Sequence, residues 1–197
     1  MFTGIVEELG TAAALETHGA GARLVIRCSI VLRGASEGSS IAVNGVCLTA
    51  LDITGDSFSA DLAPETLART NLGDLRPGSR VNLERPVTPS TLLSGHIVQG
   101  HVDGTGEAVA LDALGDGNYW LKVRVPAVLE RYLVEKGSIA VDGISLTIAA
   151  LEEGRVVGIT IIPHTFANTT LSTAQPGTRL NIEVDVLAKH VEKLLRR

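Results

Sequence analysis

The chain is poor in most of the features that would mark a function class at once. Its 197 residues include only two cysteines, Cys28 and Cys47. Two cannot build a disulfide framework, so a soluble, cytoplasmic protein is the expectation. Aromatic residues make up 3% of the chain, too few for the stacking platforms that grip single-stranded nucleic acid. Basic residues are outnumbered, 17 Lys+Arg against 22 Asp+Glu, for a net charge of −5. With no Lys/Arg cluster before the extreme C-terminus, nucleic acid is not an expected partner. No apolar run reaches the roughly 18 residues of a membrane span. The opening residues MFTGIVEE have neither the basic nor the apolar stretch of a secretory signal, so none is expected. The sequon Asn168-Thr169-Thr170 is then a coincidence of letters.

Familiar catalytic motifs are missing too. GTGEAV at 104–109 lacks the third glycine of a dinucleotide fingerprint and has no βαβ unit around it. There is no GxxxxGK[ST] phosphate loop and no GxSxG elbow.

What is present is a repeat. NGVCLT at 44–49 returns as DGISLT at 142–147, with Ser145 standing 98 positions after Cys47. PETLARTNL (64–72) matches PHTFANTTL (163–171), and PGSRVNLE (77–84) matches PGTRLNIE (176–183). GIVEELGTA (4–12) matches GHVDGTGEA (100–108). Matches in one order with nearly constant offset mean a duplicated domain, because the period is too long for a solenoid. The junction RPVTPSTLLSG (85–95) is linker-like in its prolines and hydroxyl residues. The expected organisation is an N-terminal unit at 1–86, a linker at 87–94, a C-terminal unit at 95–184 and a tail at 185–197.

Each copy reads as short strands, such as RLVIRCS, SIAVNG, VCLTALDI and RVNLE, separated by Gly, Asn or Asp turns. The fold class is therefore all-β, a pair of small barrels or sandwiches, with short helices after Pro64, Pro126 and Pro163. The tail DVLAKHVEKLLRR has no counterpart in the first copy. Leu187, Val191, Leu194 and Leu195 form one helical stripe. Asp185 can cap its start, and Lys193, Arg196 and Arg197 suit its negative end. Such a helix either packs on its own chain or joins subunits, and the second is favoured.

His96 and His101 suggest a metal pair, but on one strand a separation of five puts them on opposite faces, and no Cys or carboxylate cluster completes a site. Cys47 and Ser145 share one structural slot, and Thr49 and Thr147 lie two residues on, facing the same way. Taken singly, Cys47 is most often a small core hydrophobe, and the hydroxyl residues and His101 ordinary filler. Their recurrence in two copies is what suggests paired pockets for similar ligands.

The segments MFTGIVEELG, NGVCLT, SGHIVQGHVDGTG and VDGISLT, with PETLARTNLGDL and the C-terminal helix, together resemble the riboflavin synthase family, the type built from two homologous lumazine-binding barrels. The resemblance covers essentially the whole chain. It implies two six-stranded Greek-key barrels, with three chains associating through their C-terminal helices. Two molecules of 6,7-dimethyl-8-ribityllumazine would dismutate by transfer of a four-carbon unit, giving riboflavin and 5-amino-6-(D-ribitylamino)uracil, with no cofactor and no metal. The working site would join the N-terminal barrel of one subunit to the C-terminal barrel of a neighbour, and association with lumazine synthase is a further implied possibility.

Residue by residue, the resemblance makes His101 the candidate base for the substrate 7-methyl group, an apt role for the side chain that ordinarily titrates nearest neutrality. Cys47 or a nearby hydroxyl would add to the acceptor ring or stabilise the adduct. Ser145 and Thr147 would bond the other ring, Phe2 would pack beside the ligand and Ser40 would support it. Ligand contact is implied for Gly4, Ile5 and Val6; for Cys47, Leu48 and Thr49; and for Asp61, Leu62, Ala63, Pro64, Glu65 and Thr66. In the second copy it is implied for Gly100, His101 and Val102, for Lys136, for Ser145, Leu146 and Thr147, and for Ile161, Ile162, Pro163, His164, Thr165 and Phe166. His164 stands where relatives carry glutamate and is expected to tune polarity. In the family an arginine often precedes the SGH triplet; here the run is STLLSGH (90–96), an expected loop variation for which the resemblance implies no anionic contact. The rival readings are a lumazine protein that binds the ligand as an antenna without turning it over, and a flavin-binding barrel that serves a reductase domain. The first would erode the reactive set; the second needs a domain for which the chain has no room.

Overall fold

The computed structural model describes residues 1–195. Arg196 and Arg197, expected to close the tail helix, lie outside the described residues. The first copy contains β1 (Glu8–His18), β2 (Gly21–Arg27), β3 (Ser40–Val43), β4 (Val46–Thr49), β5 (Ser57–Leu62), α1 (Pro64–Arg69) and β6 (Arg80–Glu84). The second contains β7 (Gly104–Gly115), β8 (Asn118–Arg124), β9 (Ser138–Val141), β10 (Ile144–Thr147), β11 (Ala150–Glu152), β12 (Val156–Ile161), α2 (Pro163–Ala167) and β13 (Arg179–Val184). α3 (Val186–Leu195) follows.

Both sheets are antiparallel and share one topology, β4-β3-β6-β1-β2-β5 and β10-β9-β13-β7-β8-β12-β11. The second counts a seventh strand. It arises because the chain bends after β10 and pairs Ala150–Glu152 with β12, which curls the sheet toward closure. The first copy makes the same bend with one bridge, Leu51 to Ser59. Alternation decides which face is inside: Ala22, Leu24 and Ile26 of β2 point inward, as do Leu121 and Val123 of β8. Each curled sheet thus holds its own apolar core. Prolines open α1 and α2 as expected, while the segment after Pro126 is a 3₁₀ helix, Ala127–Tyr132.

The copies meet about a pseudo-twofold axis. Asn44-Gly45 and Asp142-Gly143 are hairpin turns with both residues at positive φ, 45° and 76° in the first and 46° and 76° in the second. Their tips touch: a Cβ on Gly45 would lie 2.7 Å from the Gly143 nitrogen, and the converse holds. Only glycine permits that approach. Around the tips, Asn82 Nδ2 donates across the axis to the Asp142 carbonyl at 2.9 Å, and Asn181 Nδ2 to the Asn44 carbonyl at 2.8 Å. Each asparagine also has its backbone N–H bonded within its own copy, Asn82 to Asn44 Oδ1 and Asn181 to Asp142 Oδ1.

Asp142, standing where the first copy has Asn44, breaks this symmetry. Burial pushes the Asp142 carboxyl up to about 7, despite bonds from the Asn181 backbone and the Asn71 side chain that favour its ionised form. A raised folded-state pKa means that the folded protein holds a proton the unfolded chain releases. Stability should therefore fall as pH rises from about 4 to about 7. Asp142→Asn, the residue the first copy uses here, should flatten that slope and raise the melting temperature most at pH 8. Thermal melts of both proteins at pH 5 and pH 8 test this; equal slopes would remove Asp142 as the cause.

Candidate functional site

The site begins with two crossing arms. Residues preceding β1 leave the first copy and pack on the second; residues preceding β7 do the reverse. Phe2 and Val98 pair as an antiparallel bridge, with Phe2 N to Val98 O at 2.6 Å and Val98 N to Phe2 O at 3.1 Å. Beyond it, the Gly4 carbonyl accepts from Ser145 N at 2.7 Å, and the Gly100 carbonyl accepts from Cys47 N at 2.9 Å. Val6 packs against the second core and Val102 against the first. Gly4 and Gly100 have φ of 78° and 80°. A Cβ would come within 2.7 Å of the Ser145 Cβ or the Cys47 Cβ, respectively. Both glycines are thus required by conformation and by the closeness of the reactive-type side chain.

Two buried carboxylates hold the arms. Glu84, near the end of β6, accepts from Thr3 N, Thr3 Oγ and Gly4 N at 2.7, 2.7 and 3.0 Å. Glu183, its counterpart in β13, accepts from Gln99 N, Gly100 N and His101 N at 2.6, 3.0 and 2.9 Å. Burial raises both carboxyls above the usual range, opposed by those same N–H donors and, at Glu183, by the Lys189 charge.

The result is two similar outer faces. Cys47 and Thr49 look out from β4, and Ser145 and Thr147 from β10, with Cys47 and Ser145 half-buried and both threonines exposed. Asp61, Ala63, Pro64 and Glu65 are exposed beyond β5, and Ile162, Pro163 and His164 beyond β12, with Thr66 and Thr165 half-covered on the helices that follow. Leu48, Leu62, Leu146 and Ile161 turn their side chains into the barrel cores, so only their backbone can face a ligand there. Phe166 stacks on Tyr119 with centroids 3.9 Å apart. Phe2 is fully buried with Ala42, Val98 and Ala140, beside Cys47. Ser40 is half-buried in β3 and pairs with Thr49. Lys136 is exposed in a left-handed turn (φ 65°).

His96 and His101 do not lie on a strand, so face alternation is not what separates them. His101 is exposed and fixed through its backbone. His96 is buried, and its Nδ1 lies 2.7 Å from Ser145 Oγ. Burial holds the His96 imidazole below the ordinary histidine value, against the opposing pull of the Asp185 charge. A neutral imidazole on a serine hydroxyl can orient it or take its proton. No histidine is hydrogen-bonded to Cys47 among the described residues; its bond across the arm is from its own N–H to the Gly100 carbonyl. No sequence motif marks His96 for this contact, and Glu84 and Glu183 were legible only as matched letters in VNLE and LNIE. No cluster of potential metal ligands occurs among the described residues.

The lumazine-binding domain family model matches the chain twice, at residues 3–86 and 99–185. A riboflavin synthase of Mycobacterium bovis is 54% identical over 100% of this chain and 98% of its own length. One from Bacillus subtilis is 43% identical over 100% of this chain and 91% of its own. Among solved structures, LumP complexed with 6,7-dimethyl-8-(1'-D-ribityl) lumazine superposes with a TM-score of 0.84, and its riboflavin complex with 0.86. At 22% and 23% identity over 93% of this chain and 99% of those, these two speak for the fold. Full-length identity at this level, the doubled domain match and the shared fold place the chain in the riboflavin synthase family.

Proposed function

We propose that the chain is a dismutase of 6,7-dimethyl-8-ribityllumazine, forming riboflavin by four-carbon transfer between two molecules held on like faces with unlike reactive residues. The observation that carries this reading is the symmetric crossing of the arms, which builds both faces to one plan but sets Cys47 on one and a His96-bonded Ser145 on the other. A donor and an acceptor of the same structure need this: similar recognition and different chemistry. Bringing two rings into attack geometry can itself supply up to about 7–11 kcal/mol of the barrier. The antenna reading is disfavoured because Phe2, Cys47, His101 and Ser145 are all retained. No cofactor enters the scheme.

The faces are open, so a second face from a neighbouring subunit would complete each site. α3 supports such an assembly: Leu187, Val191, Leu194 and Leu195 are 58%, 56%, 80% and 77% exposed along one stripe. Its opposite side is held to its own barrel through Lys189–Asp103 and Arg131–Glu192 ion pairs. A homotrimer joined through these stripes, placed in the cytoplasm, completes the reading. No described helix is long and apolar enough to cross a membrane.

The test is to mix the pure protein with the lumazine alone, in EDTA, and follow the visible spectrum. One riboflavin per two lumazines consumed is the expected result; binding with an unchanged lumazine spectrum would sink the dismutase. Removing residues 186–197 should convert the assembly to monomer by light scattering and abolish turnover while lumazine binding persists; an intact trimer would show that the helix serves only its own chain.

A further inference from the structure

A cavity of about 620 Å³ lies on the first barrel; Ile5, Arg33, Ser40, Ile41, Arg85 and Leu92 are among its walls, and neither Cys47 nor α1 lines it. The duplication shows what such a place holds. Arg33 corresponds to Arg131, Glu7 to Asp103, and the linker after β6 to α3 after β13. In the second copy α3 fills the place: Lys189 Nζ meets Asp103 at 2.7 Å, and Arg131 Nη1 meets Glu192 at 3.0 Å, with Tyr132 OH on the other Glu192 oxygen. In the first copy the linker forms no helix, only a turn at Thr88–Thr91. There Arg85 does what Lys189 does, its Nε on Glu7 Oε2 at 2.9 Å. Nothing takes the part of Glu192: Arg33 has no carboxylate partner among the described residues. Beside it, Ile5 and Leu92 are 45% and 82% exposed.

We infer that this groove is a docking seat for an amphipathic helix of another protein, one that presents a carboxylate to Arg33 and an apolar edge to Ile5 and Leu92. Charge complementarity sets the requirement, since Glu7 is already neutralised and the unmet charge is a single guanidinium. A second copy of this chain is the weaker candidate. Its α3 has Lys189 and Glu192 already engaged on its own barrel, and the residues it exposes among those described, Leu187, His190, Val191, Lys193, Leu194 and Leu195, include no carboxylate.

The experiment uses the full chain and a labelled peptide of sequence 185–197 as the helix probe, read by fluorescence anisotropy. Binding is expected with Kd on the order of 10–100 μM, about 5.5–7 kcal/mol. Arg33→Glu should weaken it at least tenfold, and Arg131→Glu should leave it unchanged. A peptide carrying Glu192→Gln should bind about fivefold more weakly to the wild type and no more weakly to Arg33→Ala than the parent peptide does, the coupling expected of partners in contact. Riboflavin formation by Arg33→Glu should match the wild type, which confirms a folded protein. No binding at 1 mM peptide, or binding indifferent to Arg33→Glu, overturns the seat. Loss on Arg131→Glu instead would mean that the peptide merely exchanges with α3. A changed particle mass on Arg33→Glu would show that a second copy is the occupant and overturn the assignment to another protein.

Discussion

Phe2→Ala should cost the protein at least a hundredfold in turnover and roughly 6–20 °C in melting temperature. The side chain is fully buried where the two barrels and both arms meet, against Ala42, Val98 and Ala140 and beside Cys47. Truncating a buried phenylalanine costs about 3–5 kcal/mol, and here the cavity would open under the arm itself. The Phe2–Val98 bridge sets the height of Gly4 and Gly100, whose carbonyls position Ser145 and Cys47. A shift of an ångström in either arm therefore misplaces both faces at once, and misplacement on that scale can cost about a hundredfold. Phe2→Leu, which keeps most of the volume, should recover much of the stability and part of the rate. Steady-state kinetics with thermal melts check this. A Phe2→Ala protein with wild-type turnover would show that the arms do not govern the reactive residues.

His101→Ala should do the opposite to stability and as much to rate. Its side chain is exposed, and its place in the fold depends on the backbone N–H that Glu183 accepts, which alanine retains. The melting temperature should hardly move, while turnover falls about 10²–10⁴-fold, the usual contribution of a general base. Lumazine binding, measured by its visible spectrum, should persist within a few-fold. A rate loss below about tenfold would shift the role of base elsewhere. His96 acting through Ser145 Oγ is then the next group to change, since its imidazole is in hydrogen-bond contact with a candidate reactive side chain. Because Ser145 lies on the opposite face from Cys47, the two histidine variants also ask which face loses the proton.

Much of this was readable beforehand. The duplication, the strands, the proline-led helices and the equivalence of Cys47 and Ser145 follow from letters that recur at fixed spacing. Strand periodicity also placed Thr49 with Cys47 and Thr147 with Ser145. The same periodicity turns Leu48 and Leu146 inward, as the structure has them. The contact of His96 is not legible from its neighbour His101, because its partner Ser145 lies 49 residues away on β10.

The sequence by itself determined what each copy is: a set of short strands around one apolar core, with a thiol in one slot and a hydroxyl in its equivalent. Those facts live in alternation and repetition, which are local. Only the tertiary structure decided to whom each arm belongs. The aligned matches place Gly4 with the first copy and Gly100 with the second, whereas the backbone bonds give each to the other. That choice rests on long-range contacts: Ser145 N–H on the Gly4 carbonyl, Cys47 N–H on the Gly100 carbonyl, Phe2 on Val98, Val6 and Val102 each against the opposite core, and glycine tips that admit no side chain between the barrels. Buried polar groups on an arm need partners: the N–H groups find Glu84 or Glu183 in their own copy and the Gly4 and Gly100 carbonyls find the other, and nothing in the order of residues says which of two nearly identical barrels will supply each.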